Sequence, residues 1–276
     1  MPTGRLPENK DEDTRRMVEK RLAQFPYLHS IADVFSKKES GELPPHCESD
    51  HKITLTTSNL LSTSPLYSCT PDQLETMKKY LIENLHNGFI ELSSALYRSP
   101  VLFAIKGDST WRMYIDYRKL NASTVKDKYP IPLIDETLRQ LGRAKIYTKL
   151  DIRQAFHRIR MNPDSEDLTT FRTRYGQFKY KVLPFGLCNG PATFQRYINS
   201  YIFEYLDDFV VAYLDDLIIY SDNKDEHQEH VKKVLERLHA AGLQVDIKKC
   251  EFHTSRTKFL GFIVGTKGIE VDKKKI

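Results

Sequence analysis

The sequence lacks any run of about 18 consecutive apolar residues, so we expect no membrane-spanning helix. Its first residues, MPTGRLPENKDEDTRR, contain no apolar segment and several acids, which argues against a secretory signal peptide. We therefore expect an intracellular protein that is not secreted, whether in the cytoplasm, the nucleus or an organelle.

Cysteine is also scarce. The four cysteines form no CxxC pair and stand far apart, at Cys47, Cys69, Cys188 and Cys250. This spacing suggests neither a disulfide framework nor a thiolate zinc site. His227 and His230 lie three residues apart on a predicted helix, but no third nitrogen or sulfur ligand accompanies them, so a capping or packing role is expected.

Neither sign of charge is in large excess, with 42 basic and 37 acidic residues and a formal net charge of +5. A mildly basic chain is compatible with a phosphate-bearing partner but does not identify one. Hydrophobic residues make up 40% of the 276 residues, enough for the core of one large or two ordinary globular domains.

The order of predicted elements favours an α+β fold. Residues 1–43 have the composition of an extension or linker, and the linker-like segment SKKESGELPP (36–45) overlaps their end. Thr70 is a candidate N-cap for a helix with an apolar stripe, and further amphipathic helices are predicted at 191–206 and 225–241. The segments between them alternate or are rich in β-branched residues, which predicts antiparallel strands.

One tetrapeptide, Tyr-Leu-Asp-Asp, occurs twice in FEYLDDFVVAYLDDLIIYS, residues 203–221. The first acidic pair, Asp207 and Asp208, follows a helical stripe, so exposed acids at a helix-to-strand corner are expected. The second pair, Asp215 and Asp216, separates two β-type runs with no room for a longer loop. This context predicts a tight hairpin with both carboxylates at its tip.

Two adjacent carboxylates repel each other and need a counter-charge. Asp151 ends the alternating segment AKIYTKLD and is the natural third acid, although alone it could be a solvated strand end. Oxygen ligands without histidine or cysteine suit Mg²⁺, or Mn²⁺, rather than zinc. Three aspartates can hold two such ions for an in-line displacement at phosphorus.

Several separated motifs resemble the reverse transcriptases of Ty3/gypsy-like long-terminal-repeat retrotransposons over about residues 44–276. In chain order they are WRMYIDYRKLN (111–121), KLDIRQAFHRIRM (149–161), LPFGLCNGPATFQRYIN (183–199), YLDDLIIYS (213–221), GLQVDIKKCEF and KFLGFIV. A single YxDD is weak evidence, whereas ordered motifs at suitable spacing are specific. The resemblance independently selects the second acidic pair.

By position, the resemblance implies a role for each matching residue. Asp151 and Asp215 are the principal metal ligands and Asp216 the supporting carboxylate. The nucleotide-binding residues implied are Lys106, Arg112, Phe156, Phe185, Gly186 and Lys249. Phe156 is expected to exclude a ribose 2′-hydroxyl, and Lys248 or Lys249 to protonate pyrophosphate. Leu260, Gly261 and Phe262 resemble the primer grip.

The fold implied is a right-hand polymerase with fingers and an antiparallel palm sheet backed by helices, and with the thumb largely absent. Fingers are expected at 44–126 and 159–189, palm at 127–158 and 190–265, and the start of a truncated thumb at 266–276. Other segments of a Pol polyprotein, or a partner supplying a thumb, are possible companions.

The leading functional hypothesis is an RNA-directed DNA polymerase that uses deoxynucleoside triphosphates, an RNA or DNA template and a DNA or RNA primer. The alternative is a truncated, non-catalytic remnant of a retroelement that only binds nucleic acid. An RNA-dependent RNA polymerase is a third hypothesis, opposed by Phe156.

Overall fold

The computed structural model describes residues 9–56, 65–105, 107, 110–266 and 268–272, with side chains described from residue 15 onward. Helices α1 to α8 span Asn9–Gln24, Lys37–Ser40, Pro71–His86, Arg118–Ala122, Ile134–Leu141, Pro163–Glu166, Gly190–Ile202 and Lys224–Ala240. Short 3₁₀ helices span Pro26–Phe35, Ala155–Arg158, Asp167–Thr169 and Phe203–Tyr205. The chain combines helices with strands in largely antiparallel sheets, which confirms the expected α+β class.

Strands β1 to β12 span Ile90–Leu92, Ser99–Ile105, Trp111–Ile115, Ile146–Asp151, Phe171–Thr173, Gly176–Tyr180, Val210–Tyr213, Asp216–Ser221, Glu251–Thr254, Arg256–Phe259, Phe262–Gly265 and Gly268–Val271. They form three sheets, and all pairings are antiparallel except that of β2 with β5.

The described residues divide into two compact units. One comprises Gly41–Lys128 and Phe156–Thr193, and we call it the five-stranded unit after its sheet. The other comprises residues 9–40, 129–155 and 194–272, and we call it the four-stranded unit. The chain therefore changes unit after residues 40, 128, 155 and 193. The boundaries expected from the sequence lie after residues 43, 126, 158 and 189.

The five-stranded unit is built on a sheet with strand order β1-β6-β5-β2-β3. Helix α3 packs beside it and begins with a capping box, in which the Thr70 hydroxyl accepts from the Gln73 N–H and the Gln73 side chain accepts from the Thr70 N–H. The apolar stripe of α3 buries Met77 and Leu81, as its helical spacing predicts.

The four-stranded unit is built on a sheet with strand order β7-β8-β4-β9. Strand β4 pairs with β8 from Ile146 opposite Ser221 to Asp151 opposite Asp216. Because side chains alternate along a strand, Asp151 shares a sheet face with Tyr147, and Thr148 lies on the other face.

Each face of this sheet is covered. On the Thr148 face, helix α8 packs against β8 and buries Val231, Val234, Leu235 and Leu238. On the Tyr147 face, helix α5 and the small sheet β10-β11-β12 contribute to a core formed by Leu138, Leu141, Ala144, Tyr147, Val211, Ile218, Tyr220, Phe259 and Val264. Both faces are thus fixed by apolar packing, which sets the β4–β8 register.

Part of the segment interpreted as a linker is packed into the four-stranded unit. The 3₁₀ helix Pro26–Phe35 lies against α8 and buries Leu28, Ile31, Val34 and Phe35. The Val34 carbonyl accepts the Val245 N–H at 2.8 Å, and the Tyr27 hydroxyl hydrogen-bonds His253 Nε2 at 2.7 Å. Composition indicated a linker, but burial of these apolar side chains, at about 1.5–3 kcal/mol each, orders the segment.

Histidine His227 is fully buried between helix α8 and the sheet. Its Nδ1 lies 2.8 Å from Ser221 Oγ and its Nε2 2.8 Å from Thr148 Oγ1. Burial, helped by the nearby His253 and His230, lowers the pKa of His227 from 6.5 to about 3. This ring packs between strand and helix, as expected for a histidine without a ligand set.

Within the described residues, no helix has the length and apolarity needed to cross a membrane.

We expect the four-stranded unit to lose stability as the pH falls below about 6.5. The unfolded chain takes up a proton on His227 there, whereas the folded chain does not until the pH approaches about 3. Between pH 7.5 and pH 5 this difference costs about 2 kcal/mol. Urea unfolding at the two pH values measures it. The variant His227→Gln should show a smaller loss between them, while exposed His29→Gln should match the parent; equal losses in all three proteins would contradict the assignment.

Candidate active site

The second Tyr-Leu-Asp-Asp forms a two-residue hairpin turn between β7 and β8. Tyr213 pairs with Asp216, so Leu214 and Asp215 make the turn, with Leu214 at φ +55°. A left-handed leucine costs about 1–2 kcal/mol, and the strand pairing on both sides compensates for it. Asp215 therefore occupies the turn itself and Asp216 the first position of β8.

The strand pairing brings Asp151 to the same place. Asp151 ends β4 as the Cα partner of Asp216, and the N–H of Ile152 donates to the Asp215 carbonyl at 3.3 Å. Asp151 therefore meets the adjacent pair Asp215 and Asp216, more than 60 positions further along the chain, at one end of the sheet.

Two lysines neutralise part of this charge. Lys249 Nζ lies 2.9 Å from Asp151 Oδ1 and 3.2 Å from Oδ2, and Lys149 Nζ lies 2.9 Å from Asp216 Oδ1. The Lys149 side chain is 19% exposed, so its pair with Asp216 is poorly screened by water, whereas Lys249 is 63% exposed. Lys149 was not identified from the sequence, because its pairing depends on the register between two strands.

The pKa of the Asp215 carboxyl lies above its ordinary value. Burial of the carboxyl is the largest cause, and the hydrogen bond from the Asp215 backbone is the next and lowers the pKa. The negative charges of Asp216 and Asp151 raise it further, and Lys249 opposes them. As a whole residue Asp215 is exposed at the turn. Among the causes of its raised pKa, the charges of its two acidic neighbours are the ones that substitution can test. Such crowding of like charges is a feature of sites that bind a cation.

The three carboxylates do not converge on one point. Among the described residues, no group of three histidine, cysteine or acidic side chains is arranged to hold a metal ion. The lysine contacts give the reason, since Asp151 is directed to Lys249 and Asp216 to Lys149.

A buried glutamine holds the turn in place. Gln195, on α7, accepts the Leu214 N–H at 2.8 Å and donates to the Ala212 carbonyl at 3.1 Å and to Asn199 at 2.9 Å. Its side chain is fully buried, so each hydrogen bond would be costly to lose. The motif GPATFQRYIN contains this glutamine, but its role became visible only from the contact with the turn.

Three of the expected nucleotide-binding residues meet within the five-stranded unit. The rings of Phe156 and Phe185 contact edge to face with centroids 4.8 Å apart, and the Arg112 guanidinium lies 5.7 Å from the Phe185 ring and 5.7 Å from the Tyr114 ring. Stacking on aromatic rings orients a guanidinium while leaving its N–H groups available. Lys106 lies outside the described residues.

Gly186 has a φ of +98°, a conformation that other residues rarely adopt. The loop that contains it is fixed by Asn121, which donates to the Gly186 carbonyl at 2.7 Å and accepts the Cys188 N–H at 2.8 Å. Asn121 ends the motif WRMYIDYRKLN, so the two motifs are joined by these hydrogen bonds.

The expected primer-grip residues form the hairpin between β10 and β11. Leu260 and Gly261 make the turn with φ values of +50° and +83°, and Leu260 and Phe262 pack against the core on the Tyr147 face. Lys149 Nζ donates to the Lys258 carbonyl at 3.2 Å, which links this hairpin to the strand that carries Asp151.

The first acidic pair has a different setting. Asp207 has a φ of +66° and follows the 3₁₀ helix Phe203–Tyr205, and its carboxylate accepts from Gln140 Nε2 at 2.9 Å. This is the helix-to-strand corner that the sequence predicted.

Comparison with known proteins identifies the family of this chain. The profile of the family described as reverse transcriptase (RNA-dependent DNA polymerase) matches residues 105–264, which is more than half of the chain. The chain belongs to the reverse transcriptase family. This family is a class of nucleotidyltransferases, RNA-directed DNA polymerases, and the sequence-based recognition is thereby confirmed.

Curated relatives of this reverse transcriptase domain are transposon polyproteins. The Transposon Tf2-3 and Tf2-7 polyproteins of Schizosaccharomyces pombe are each 35% identical to it over 237 residues, or 86% of the chain. The chain spans about a fifth of the length of these relatives, 18% of each polyprotein.

Solved structures share its fold. A foamy viral protease-reverse transcriptase in complex with RNA/DNA hybrid superimposes with a TM-score of 0.79 at 20% identity, covering 99% of this chain and 38% of that one. A prototype foamy virus protease-reverse transcriptase mutant gives a TM-score of 0.72 at 25% identity, covering 93% and 33%.

The Gln195 contacts generate a prediction about the turn. Gln195→Met keeps the shape of the side chain but leaves the Leu214 N–H and the Ala212 carbonyl without these partners, so the free energy of unfolding should fall by about 1–3 kcal/mol. Denaturant unfolding measures this effect. Gln140→Met removes the comparable but exposed contact to Asp207 and should cost less than about 0.5 kcal/mol. Equal losses in the two variants would show that the Gln195 clamp does not stabilise the turn.

Proposed function

We propose that this chain is an RNA-directed DNA polymerase that transfers a nucleotide from a deoxynucleoside triphosphate to a primer 3′-hydroxyl. In this reaction the primer 3′-hydroxyl releases its proton to water and its oxygen bonds to the α-phosphorus, while the bond from that phosphorus to the bridging oxygen breaks and pyrophosphate leaves. The observation that carries the proposal is the meeting of Asp151, Asp215 and Asp216 at one sheet end, with the hairpin clamped by Gln195.

The donor set fits Mg²⁺, with Mn²⁺ as a substitute, because all three side chains offer hard carboxylate oxygens. The charges of Asp216 and Asp151 also raise the pKa of Asp215, and a cation would relieve this repulsion. We propose Asp151 and Asp215 as the principal ligands of two ions and Asp216 as their support. Asp151 and Asp216 would exchange their lysine partners for the ions. When bound, such ions activate an attacking hydroxyl and stabilise the charge on the leaving oxygen.

The cationic side chains have separate roles in this proposal. Lys249, which contacts Asp151 through its ammonium group, is positioned to give a proton to the departing pyrophosphate. Arg112, oriented by two aromatic rings, offers a planar fork to the triphosphate oxygens. Lys106 is proposed as the second triphosphate cation on sequence grounds alone.

Phe156 is proposed to select deoxynucleotides. Its ring is partly buried and braced by Phe185 at 4.8 Å, so it cannot easily yield to a ribose 2′-hydroxyl. Gly186 lines the same pocket in this proposal, because a glycine lets the backbone approach the nucleotide closely. Leu260, Gly261 and Phe262 are proposed to hold the primer end.

The proposed partners are a template and a primer. The foamy viral neighbours were solved with an RNA/DNA hybrid and with double-stranded DNA, which supports a duplex ligand of this kind for the present chain. Because the relatives are polyproteins, other polyprotein segments are proposed as companions during processive synthesis.

The deciding experiment is primer extension on an RNA template with Mg²⁺ and deoxynucleotides. Asp215→Asn should lower the extension rate by about a thousandfold or more, corresponding to about 4 kcal/mol, because a metal ligand and its charge are lost. Asp207→Asn is the matched control from the first Tyr-Leu-Asp-Asp, and asparagine accepts its left-handed conformation.

Asp207→Asn should therefore extend at the parent rate. If the intact chain binds the duplex yet extends no primer at any protein concentration, the non-catalytic alternative is correct. If both substitutions have the same effect, the assignment of the second acidic pair is wrong.

Removing the Phe156 ring should relax the choice of sugar. We expect Phe156→Ala to reduce discrimination against ribonucleotides by at least about tenfold, or about 1.4 kcal/mol, because the space for a 2′-hydroxyl is opened. Competing incorporation of a ribonucleotide and its deoxynucleotide measures this ratio. Exposed Phe203→Ala should leave it unchanged; unchanged selectivity in Phe156→Ala would remove Phe156 from this role.

A further inference from the structure

The backbone that follows Asp151 is held from two sides. The N–H of Ile152 donates to the Asp215 carbonyl at 3.3 Å, on the side of the hairpin turn. On the other side, the Asp151 carbonyl accepts the Asp246 N–H at 2.9 Å, and the Arg153 N–H donates to the Gln244 carbonyl at 2.7 Å. The position of Asp151 therefore depends on residues 244–246 as well as on the sheet.

A largely buried ion pair closes this connection. Arg153 Nη2 lies 2.9 Å from Asp246 Oδ1, and the two side chains are only 15% and 16% exposed. The guanidinium pairs with Asp246 and is too buried to bind a nucleic-acid phosphate through its N–H groups. Removing one member of such a pair leaves an uncompensated charge, so the pair strongly favours this one arrangement.

Asp246 also organises the turn that carries Lys249. Its carboxylate accepts the Lys248 N–H at 3.3 Å, and its carbonyl accepts the Lys249 N–H at 2.9 Å and the Cys250 thiol at 3.2 Å. The same residue thus holds the carbonyl of Asp151 and the base of the lysine that contacts the Asp151 carboxylate.

From these contacts we propose that Arg153 and Asp246 are a positioning pair that fixes the Asp151 carboxylate relative to the Lys249 ammonium. The inference rests on the proposed function, because the proposed function gives both the Asp151 carboxylate and the Lys249 ammonium a role in nucleotide transfer. Neither Arg153 nor Asp246 is proposed to touch the nucleotide or the reacting atoms. Within the described residues the Arg153 Nε is buried and makes no hydrogen bond, so Asp246 is the contact that orients this guanidinium.

The test compares Arg153→Met, Arg153→Lys, Asp246→Asn and the double variant Arg153→Met with Asp246→Asn in primer extension, at a temperature where all are folded. Arg153→Met should lower kcat by about 10–100-fold, the range found when the partners of a metal ligand are removed. The KM for the deoxynucleotide should change less than about threefold, since that binding does not involve the pair. Arg153→Lys should recover part of kcat because the charge is kept.

The double variant should be no slower than the slower single variant, because both substitutions remove the same contact. Arg237→Met is the control, since it removes an exposed ion pair with Glu204 in the same unit. If folded Arg153→Met keeps kcat within twofold of the parent, or if its loss appears only in KM, the positioning role is wrong.

Backbone hydrogen exchange separates this inference from the proposed function. The amides of Asp246 and Arg153 should exchange at least about tenfold faster in Arg153→Met than in the parent and in Arg237→Met, whether or not the chain is active. Failure of the intact chain to extend primers, with this change in exchange present, overturns the proposed function but keeps the positioning contact. Unchanged exchange overturns the positioning pair.

Discussion

The antiparallel register between β4 and β8 is the constraint on which the candidate site depends. It places Asp151 opposite Asp216 and, through the tight turn, brings Asp215 beside them. A slip of one residue would move Asp151 to the face covered by α8. The register is therefore protected by apolar side chains on both faces, and the stability of the core and the geometry of the carboxylates have the same cause.

Local patterns in the sequence predicted much of this architecture and part of the site. The β-branched runs around Asp215 predicted the hairpin, the apolar stripes predicted α3 and α8, and the residues before Asp151 predicted a strand. Lys149 and Asp246 could not be found this way, because their contacts join positions that are neighbours only after the strands have paired. The packing of the Pro26–Phe35 helix could not be predicted for a related reason, since its apolar side chains acquire a surface to pack on only when α8 is in place.

Gathering three acids at one sheet end opposes folding, and the structure shows how the cost is limited. Lys149 and Lys249 each contact one carboxylate, whereas the pKa of Asp215 stays raised by the burial of its carboxyl and by the charges of its two acidic neighbours. The partly enclosed pair of Asp216 with Lys149 is a stronger constraint than the exposed pair of Asp151 with Lys249. This asymmetry leaves the Asp151 carboxylate the easier one to release, while its backbone stays fixed by hydrogen bonds that do not involve the carboxylate.

The two copies of Tyr-Leu-Asp-Asp show that context, not the tetrapeptide, decides conformation. In the first copy the left-handed residue is Asp207, and the chain leaves a 3₁₀ helix there; in the second it is Leu214, and the chain reverses between paired strands. Aspartate enters the left-handed region readily, so the first corner needs little support. Leucine does not, so the second turn persists only because strand pairing and the buried Gln195 impose it. That imposed turn is what directs two consecutive acids toward the end of β4.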